Sequence, residues 1–323
     1  MLKNFALLLA LAAVVAAPSP GLAQAFPSKP ITIVVPFPAG GAADASTRIV
    51  AQKLGEDLKQ SVLVDNRPGA GGQIAASAVK RSAPDGYTLF LANIGSHATN
   101  QALYSKLSYD PEKDFEPIVE MVKIPQLLVV PATSSVRNVA ALIAKAKANP
   151  GTVSYASQSV GAGGHIAAEI LRSKNGLHIN HIPYKGSSPA LTDLVAGRVD
   201  FMFDAMPSSL PFVKDQRLRA LAIDAPKRSA LLPDVPTLVE QGLIGYEASP
   251  WFGLAAPAGT PQPVIDKLHD EVAAILRKPE VLSKLNEMGI VAVGGTAKDF
   301  AKLMKSDTER LGQVIRDSGA KLD

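Results

Sequence analysis

From Ile31 onward, short β-branched runs alternate with helical stretches, and this rhythm restricts the chain to an α/β architecture. Ile31–Val35, Val62–Asp65 and Tyr87–Ala92 read as strands, separated by helices over Asp44–Leu58 and Gly72–Ser82. These strands are near-continuous apolar runs rather than alternations, the pattern of parallel strands covered on both faces. A second series places strands at Leu127–Val130, Val153–Ala156, Asn180–Pro183, Val199–Phe203 and Leu218–Ile223, with helices near Val139–Ala148, Gly164–Ser173, Ala190–Gly197 and Pro207–Val213. The C-terminal part adds one strand, Phe252–Ala256, and then helices over Pro263–Arg277, Glu280–Met288 and Ala297–Asp317. It holds too few strands for a third domain and is assigned to the first unit. The expected organisation is one lobe from residues 26–125 and 248–323 and a second from 126–247, with the chain crossing near Ile124 and near Glu247. A continuous split into two domains is the alternative topology.

Residues 1–25 read as an export signal. Lys3 supplies the early positive charge, Phe5–Ala17 is an uninterrupted apolar run, and Pro18, Pro20 and Gly21 break it before Ala23-Gln24-Ala25. The run is too short for a spanning helix, which needs about 20 apolar residues. Cleavage is expected after Ala25, leaving a soluble periplasmic protein that starts at Phe26. The sequence has no cysteine, so it has no disulfide framework, thiolate metal site or lipobox anchor. A net charge of +4 without a basic cluster, with aromatic residues at only 5%, argues against a nucleic-acid partner.

Glycine-rich turns stand where strands give way to helices: Pro36–Asp44, Arg67–Gly72 and Ser157–His165. Glycine lets backbone approach a ligand, and the free N–H groups of a following helix carry partial positive charge, so such turns can hold anions. Tyr184–Pro189 has the same character, and Asn93 and Ser96 add side-chain donors just past a strand. In open α/β sheets these turns converge beyond the carboxyl ends of the strands. Gly69–Gly72 is read as a tight turn that sets helix packing; Gly40–Gly41 and Gly161–Gly164 remain open between steric and ligand roles. Sharper motifs are absent. Ile74 and Ile166 stand where a dinucleotide fingerprint needs glycine, no Gly-Lys dipeptide supports a P-loop, and no Gly-x-Ser-x-Gly elbow occurs. The five histidines include no metal-binding pair at helical spacing, so neither a metal nor a cofactor is expected. His97 and His165 can donate to a ligand or cap local backbone.

Several ordered stretches carry a family likeness: Ile33-Val-Val-Pro-Phe37 with Gly40, Gly41 and Asp44; Asn66-Arg-Pro-Gly-Ala-Gly-Gly72; Asp85-Gly-Tyr-Thr-Leu89; Pro183-Tyr-Lys-Gly186; Phe203-Asp204; Leu232-Pro-Asp-Val-Pro-Thr237; and Trp251-Phe-Gly253. Over essentially the whole mature chain, the sequence resembles the Bug or TctC family of extracytoplasmic solute receptors of tripartite tricarboxylate transporters. The resemblance implies a two-lobed, Venus-flytrap periplasmic binding protein with two crossover strands, which captures a small carboxylate without catalysing a reaction. It implies a membrane permease or sensor as partner and a monomeric receptor. Carried onto this chain, the ligand residues are Pro38, Gly40, Gly41, Ala43 and Asp44, with Asn93 and Ser96, from the first lobe. From the second they are Ser157, Gly161, Gly163, His165, Lys185, Gly186, Ser187 and Asp204. Ala43 stands where the family often has threonine, and Gln73 where asparagine is common.

Asp204 has two readings, as the acceptor for an amino, hydroxyl or ring N–H group of the ligand or as a cap on the helix near Ser208. Trp251 and Phe252 are expected to pack the crossover rather than touch ligand, and Arg67 and Lys185 either steer anions or are solvated surface charges. An exported enzyme acting on a small carboxylate and an envelope interaction protein are the competing functions. The first lacks a recognisable nucleophile–base pair, and the second leaves the converging helix starts unexplained.

Overall fold

The structure, a computed structural model, describes residues 26–246 and 248–322. The expected leader and its cleavage site lie outside the described residues, as does Glu247. The strands are β1 (Ile31–Val35), β2 (Val62–Asn66), β3 (Thr88–Asn93), β4 (Phe115–Lys123), β5 (Gln126–Pro131), β6 (Ser154–Ser157), β7 (Asn180–Pro183), β8 (Phe201–Ala205), β9 (Leu218–Asp224), β10 (Trp251–Pro257) and β11 (Val291–Gly294). The helices are α1 (Ala42–Leu58), α2 (Gln73–Lys80), α3 (Asn100–Leu103), α4 (Val139–Ala148), α5 (Gly163–Asn175), α6 (Ser187–Val195), α7 (Met206–Lys214), α8 (Gln262–Ile275), α9 (Pro279–Glu287) and α10 (Ala297–Ser318).

Two sheets result. One has the order β11-β4-β10-β3-β1-β2 and the other β7-β6-β8-β5-β9. β1 pairs in parallel with β2 and β3, and β6 with β7 and β8. The expectation of parallel strands is met by β1, β2 and β3, and each sheet also takes in a strand of opposite sense. β10 runs antiparallel to β3 and β4, and β5 antiparallel to β8 and β9. A strand buried on both faces has the same apolar composition in either direction, so the sequence pattern carries no sign of its sense.

The chain passes from the first sheet to the second between β4 and β5, and returns between β9 and β10. The two passages are tied together, because the Ile124 N–H donates to the Pro250 carbonyl at 2.7 Å. Asp224 anchors the return by accepting from the Ala248 N–H at 2.9 Å.

The C-terminal helix α10 locks the arrangement. Thr296 and Asp299 form a capping box at its start, which satisfies amides that would otherwise be orphaned. Its apolar stripe, Phe300, Leu311 and Ile315, is buried in a core cluster that also holds Phe90 of β3 and Leu128 and Phe203 of the second sheet. Trp251 lies edge-on to Phe300, and its indole N–H donates to Asp307 at 2.8 Å. No described helix is long and apolar enough to cross a membrane.

Candidate functional site

A cleft of about 880 Å³ is lined from both sheets. The first contributes Pro38, Gly40, Gly41 and Ala43 around the start of α1, the Gly69–Gly72 turn, and Asn93 at the end of β3. The second contributes Gly161 and Gly163 at the start of α5, and Lys185, Gly186 and Ser187 at the start of α6. The residues before α1, α5 and α6 are Gly41, Ala162 and Gly186, and no capping side chain bonds to the helix amides at any of the three. The first amides of a helix have no intrahelical partner, so three partially positive helix ends open onto one space. Lys185 is the one charged residue on the lining among the described residues.

Five of the expected ligand residues stand behind this surface and hold its loops. Asp44 accepts from the Gly40 N–H and from Asn66 Nδ2, each at 2.9 Å, and pairs with Arg48. Burial alone would raise its pKa, but Arg48, Gly40 and Asn66 together hold it below the usual carboxylate range. Ser96 bonds to the Asn93 N–H and to His97 Nδ1, while Asn93 Oδ1 accepts from the amides of Gly95 and Ser96. Ser157 Oγ lies 2.6 Å from His181 Nε2. His165 Nδ1 accepts from the Gly161 N–H at 3.1 Å, and its ring stacks on His181 with centroids 4.3 Å apart. Burial pushes the His165 pKa down to about 3, which keeps Nδ1 free to accept. His165 therefore fixes the glycine turn instead of donating to the cleft.

Asp204 is fully buried and accepts from Gln158 Nε2 at 2.9 Å, from Ser187 Oγ at 2.6 Å and from Ser208 Oγ. Neither sequence reading describes this. The carboxyl joins three side chains from the 158 turn, α6 and α7, and α7 has no side-chain cap on its amides. Burial raises its pKa above the usual value. His97 is buried against Phe90 and Phe115, and burial takes its pKa down to about 3. It is absent from the lining.

Two packing expectations also change. Phe252 lines the cleft, edge-on to Phe37 with ring centroids 5.6 Å apart, whereas Trp251 is packed inside. The Gly69–Gly72 turn both packs and lines: a Cβ on Gly71 would fall 2.8 Å from the Tyr104 hydroxyl, yet Gly69, Gly71 and Gly72 reach the cleft surface. Arg67 is absent from the lining and pairs with Asp65.

Sequence reasoning missed Gln126, and it placed Phe37 and Gln158 within the Pro36–Asp44 and Ser157–His165 turns without singling them out. Gln126 is fully buried at the head of β5 and donates to the Ala248 carbonyl at 3.1 Å. The signal was a lone amide opening an otherwise apolar run, Gln126 before Leu127–Val130.

Comparison with known proteins gives consistent matches. A family model described as tripartite tricarboxylate transporter family receptor matches residues 46–320. The UPF0065 protein in the tcbD-tcbE intergenic region of a Pseudomonas species is 41% identical over 293 residues, covering 90% of this chain and 87% of that protein. A solved R. palustris protein with adipate superposes with a TM-score of 0.83 at 38% identity, covering 92% of this chain and 100% of that chain. MatC from Rhodopseudomonas palustris with bound malate gives a TM-score of 0.78 at 31% identity, covering 90% and 100%.

Proposed function

Because the chain belongs to the tripartite tricarboxylate transporter receptor family, we propose that its cleft captures a small carboxylate and presents it to the permease of such a transporter or to a sensor. The family is one of periplasmic solute-binding receptors. The observation that carries this reading is the convergence of the α1, α5 and α6 starts on one cleft walled by glycine. Helix N-termini offer an anion several oriented N–H donors at once, and glycine leaves room for its oxygens to approach them. Lys185 adds attraction at longer range. The adipate and malate of the two solved relatives are small carboxylates of the size and charge this cleft suits.

In this reading, the groups that touch ligand come from Pro38–Ala43 and Asn93 on one side and from Gly161, Gly163 and Lys185–Ser187 on the other. Asp44, Ser96, Ser157, His165 and Asp204 act by holding those loops. The lobes are 26–125 with 248–323 and 126–247, and they close about the tied passages at Ile124 and Pro250. The receptor works as a periplasmic monomer cleaved after Ala25, and it releases its ligand chemically unchanged.

The test is a thermal-shift screen of the chain from Phe26 against mono-, di- and tricarboxylates, amino acids and aromatic acids. A ligand present at 100 times its Kd stabilises by about 2.7 kcal/mol, which moves the melting temperature by several degrees. Raised melting with at least one carboxylate, recovered intact after long incubation, is expected. No shift with any acid removes the reading, and conversion above a heat-inactivated control favours the enzyme. Intact-mass analysis of exported protein checks the cleavage site.

A further inference from the structure

Two side chains of the cleft lining, Gln126 and Gln158, carry carboxamide oxygens that are buried without a hydrogen-bond partner. Their orientations are fixed by what the amide nitrogens face. Gln126 Nε2 meets the Ala248 carbonyl, and Gln158 Nε2 meets both the Phe203 carbonyl and Asp204 Oδ1. Turning either amide over would set oxygen against oxygen, so in each case the oxygen is the atom left unpaired.

The two amides flank one spot, the start of α5. A Cβ on Gly163 would lie 3.2 Å from Gln126 Nε2, and one on the adjacent Gly164 would lie 2.6 Å from Gln158 Oε1. Ala205, opposite Gln126 in the β5–β8 register, also lines the cleft. A buried acceptor without a donor is costly, and native interiors keep few of them. A carboxylate cannot satisfy them, because it brings only further acceptors.

Resting on the carboxylate reading above, we propose that the ligand is a carboxylate bearing a second group with an O–H or N–H to donate, and that Gln126 and Gln158 are the residues that select it. The carboxylate takes helix-terminal amides, and the donor group points at the two amide oxygens. A hydroxyl suits the place best, since it can also accept from the free amides beside it. Sites that hydrogen-bond a substrate group reject analogues lacking it, because the protein acceptors are then left buried and unpaired.

The experiment is calorimetric titration of the chain from Phe26 with matched acids that differ by one donor: succinate against malate, butyrate against 4-hydroxybutyrate, and benzoate against 4-hydroxybenzoate. In the pair that fits the cleft, the donor-bearing acid is expected to bind at least tenfold more tightly. Gln126→Leu should shrink that ratio toward one, and Gln158→Met provides the same readout if Gln126→Leu fails to fold. Equal affinity within every pair that binds, or a ratio unchanged in a folded variant, overturns the inference and leaves the carboxylate reading standing. No binding by any of the six acids also overturns the inference, whereas the carboxylate reading falls only if the wider screen finds no acid that binds.

Discussion

A methyl group added at Gly163 should disturb binding more than folding. An ideal Cβ there falls 2.6 Å from Pro250 Cγ and 3.0 Å from Pro250 Cδ. Carbon atoms settle at about 3.5–4.0 Å, so α5 and Pro250 must separate by roughly 1 Å. Pro250 immediately precedes β10, and its carbonyl holds the Ile124 N–H. The displacement is therefore taken up where the chain passes twice between the sheets. Overpacking of this kind costs about 1–3 kcal/mol, and replacing Gly by Ala in a helix recovers up to about 1 kcal/mol. Gly163→Ala should lose no more than about 3 kcal/mol, a fall of several degrees in Tm, while affinity for the best acid of the screen falls at least tenfold. Gly164→Ala should behave in the opposite way. Its Cβ would sit 2.2 Å from the Phe203 carbonyl, a backbone atom inside β8 that cannot swing aside, so stability should drop by more than about 3 kcal/mol. Gly41→Ala, with φ at −83° and no atom within 4 Å of the added carbon, serves as the stability control and should melt within about 2 °C of wild type. Melting curves and calorimetric titration of the three variants decide the matter. Wild-type binding by Gly163→Ala together with wild-type melting by Gly164→Ala would refute the contact reasoning.

Three further outcomes follow from buried groups. His97 and His165 both have pKa values near 3 in the fold against an ordinary value near 6.5, so the unfolded chain binds more protons between those limits. Stability should therefore fall as pH drops through about 6.5, by about 1.4 kcal/mol per pH unit for each histidine; flat urea midpoints between pH 6 and pH 5 would contradict this. Asp204→Ala removes the acceptor shared by Ser187, Ser208 and Gln158 and strands the Ser187 hydroxyl, whereas Asp204→Asn keeps an acceptor oxygen. The alanine variant should be the less stable of the two by about 2–4 kcal/mol in urea unfolding, and equal midpoints would count against the three-way network. Trp251→Phe removes the indole donor from buried Asp307 and should cost about 1.5–3 kcal/mol, a figure that a loss under about 0.5 kcal/mol would exclude.

The limits of the sequence reading can be traced to particular residues. β1, Ile-Thr-Ile-Val-Val, announces itself, because five β-branched residues in a row fit only a strand buried on both faces. β4 does not. Phe115-Glu-Pro-Ile-Val-Glu-Met-Val-Lys123 carries two glutamates and a proline, so no apolar run emerges, although most of its residues end up buried between β10 and β11. β11 is four residues leading into a glycine pair, too short to stand out from a loop. The antiparallel sense of β5 and β10 escaped notice for a different reason: direction is set by where the connections land, not by the composition of the strand.

The candidate site divides along the same physical line. Glycine turns were readable because their chemistry is local: a strand end, a glycine and a helix start lie within ten residues of one another. Gly40, Gly41, Gly161, Gly163 and Gly186 accordingly all reach the cleft. What a charged or polar side chain does there depends on partners far away in sequence. Asp204 meets Gln158 46 residues upstream, and Gln126 meets Ala248 122 residues downstream. No spacing rule links such pairs, so Asp204 was legible as important but not as a knot between three loops. The same distance effect hid the two unpaired amide oxygens. Gln126 and Gln158 are 32 positions apart on different elements, and only the fold sets them on either side of α5. The backbone that grips an anion is thus written locally, while the side chains that can choose among anions are assembled only by tertiary contact.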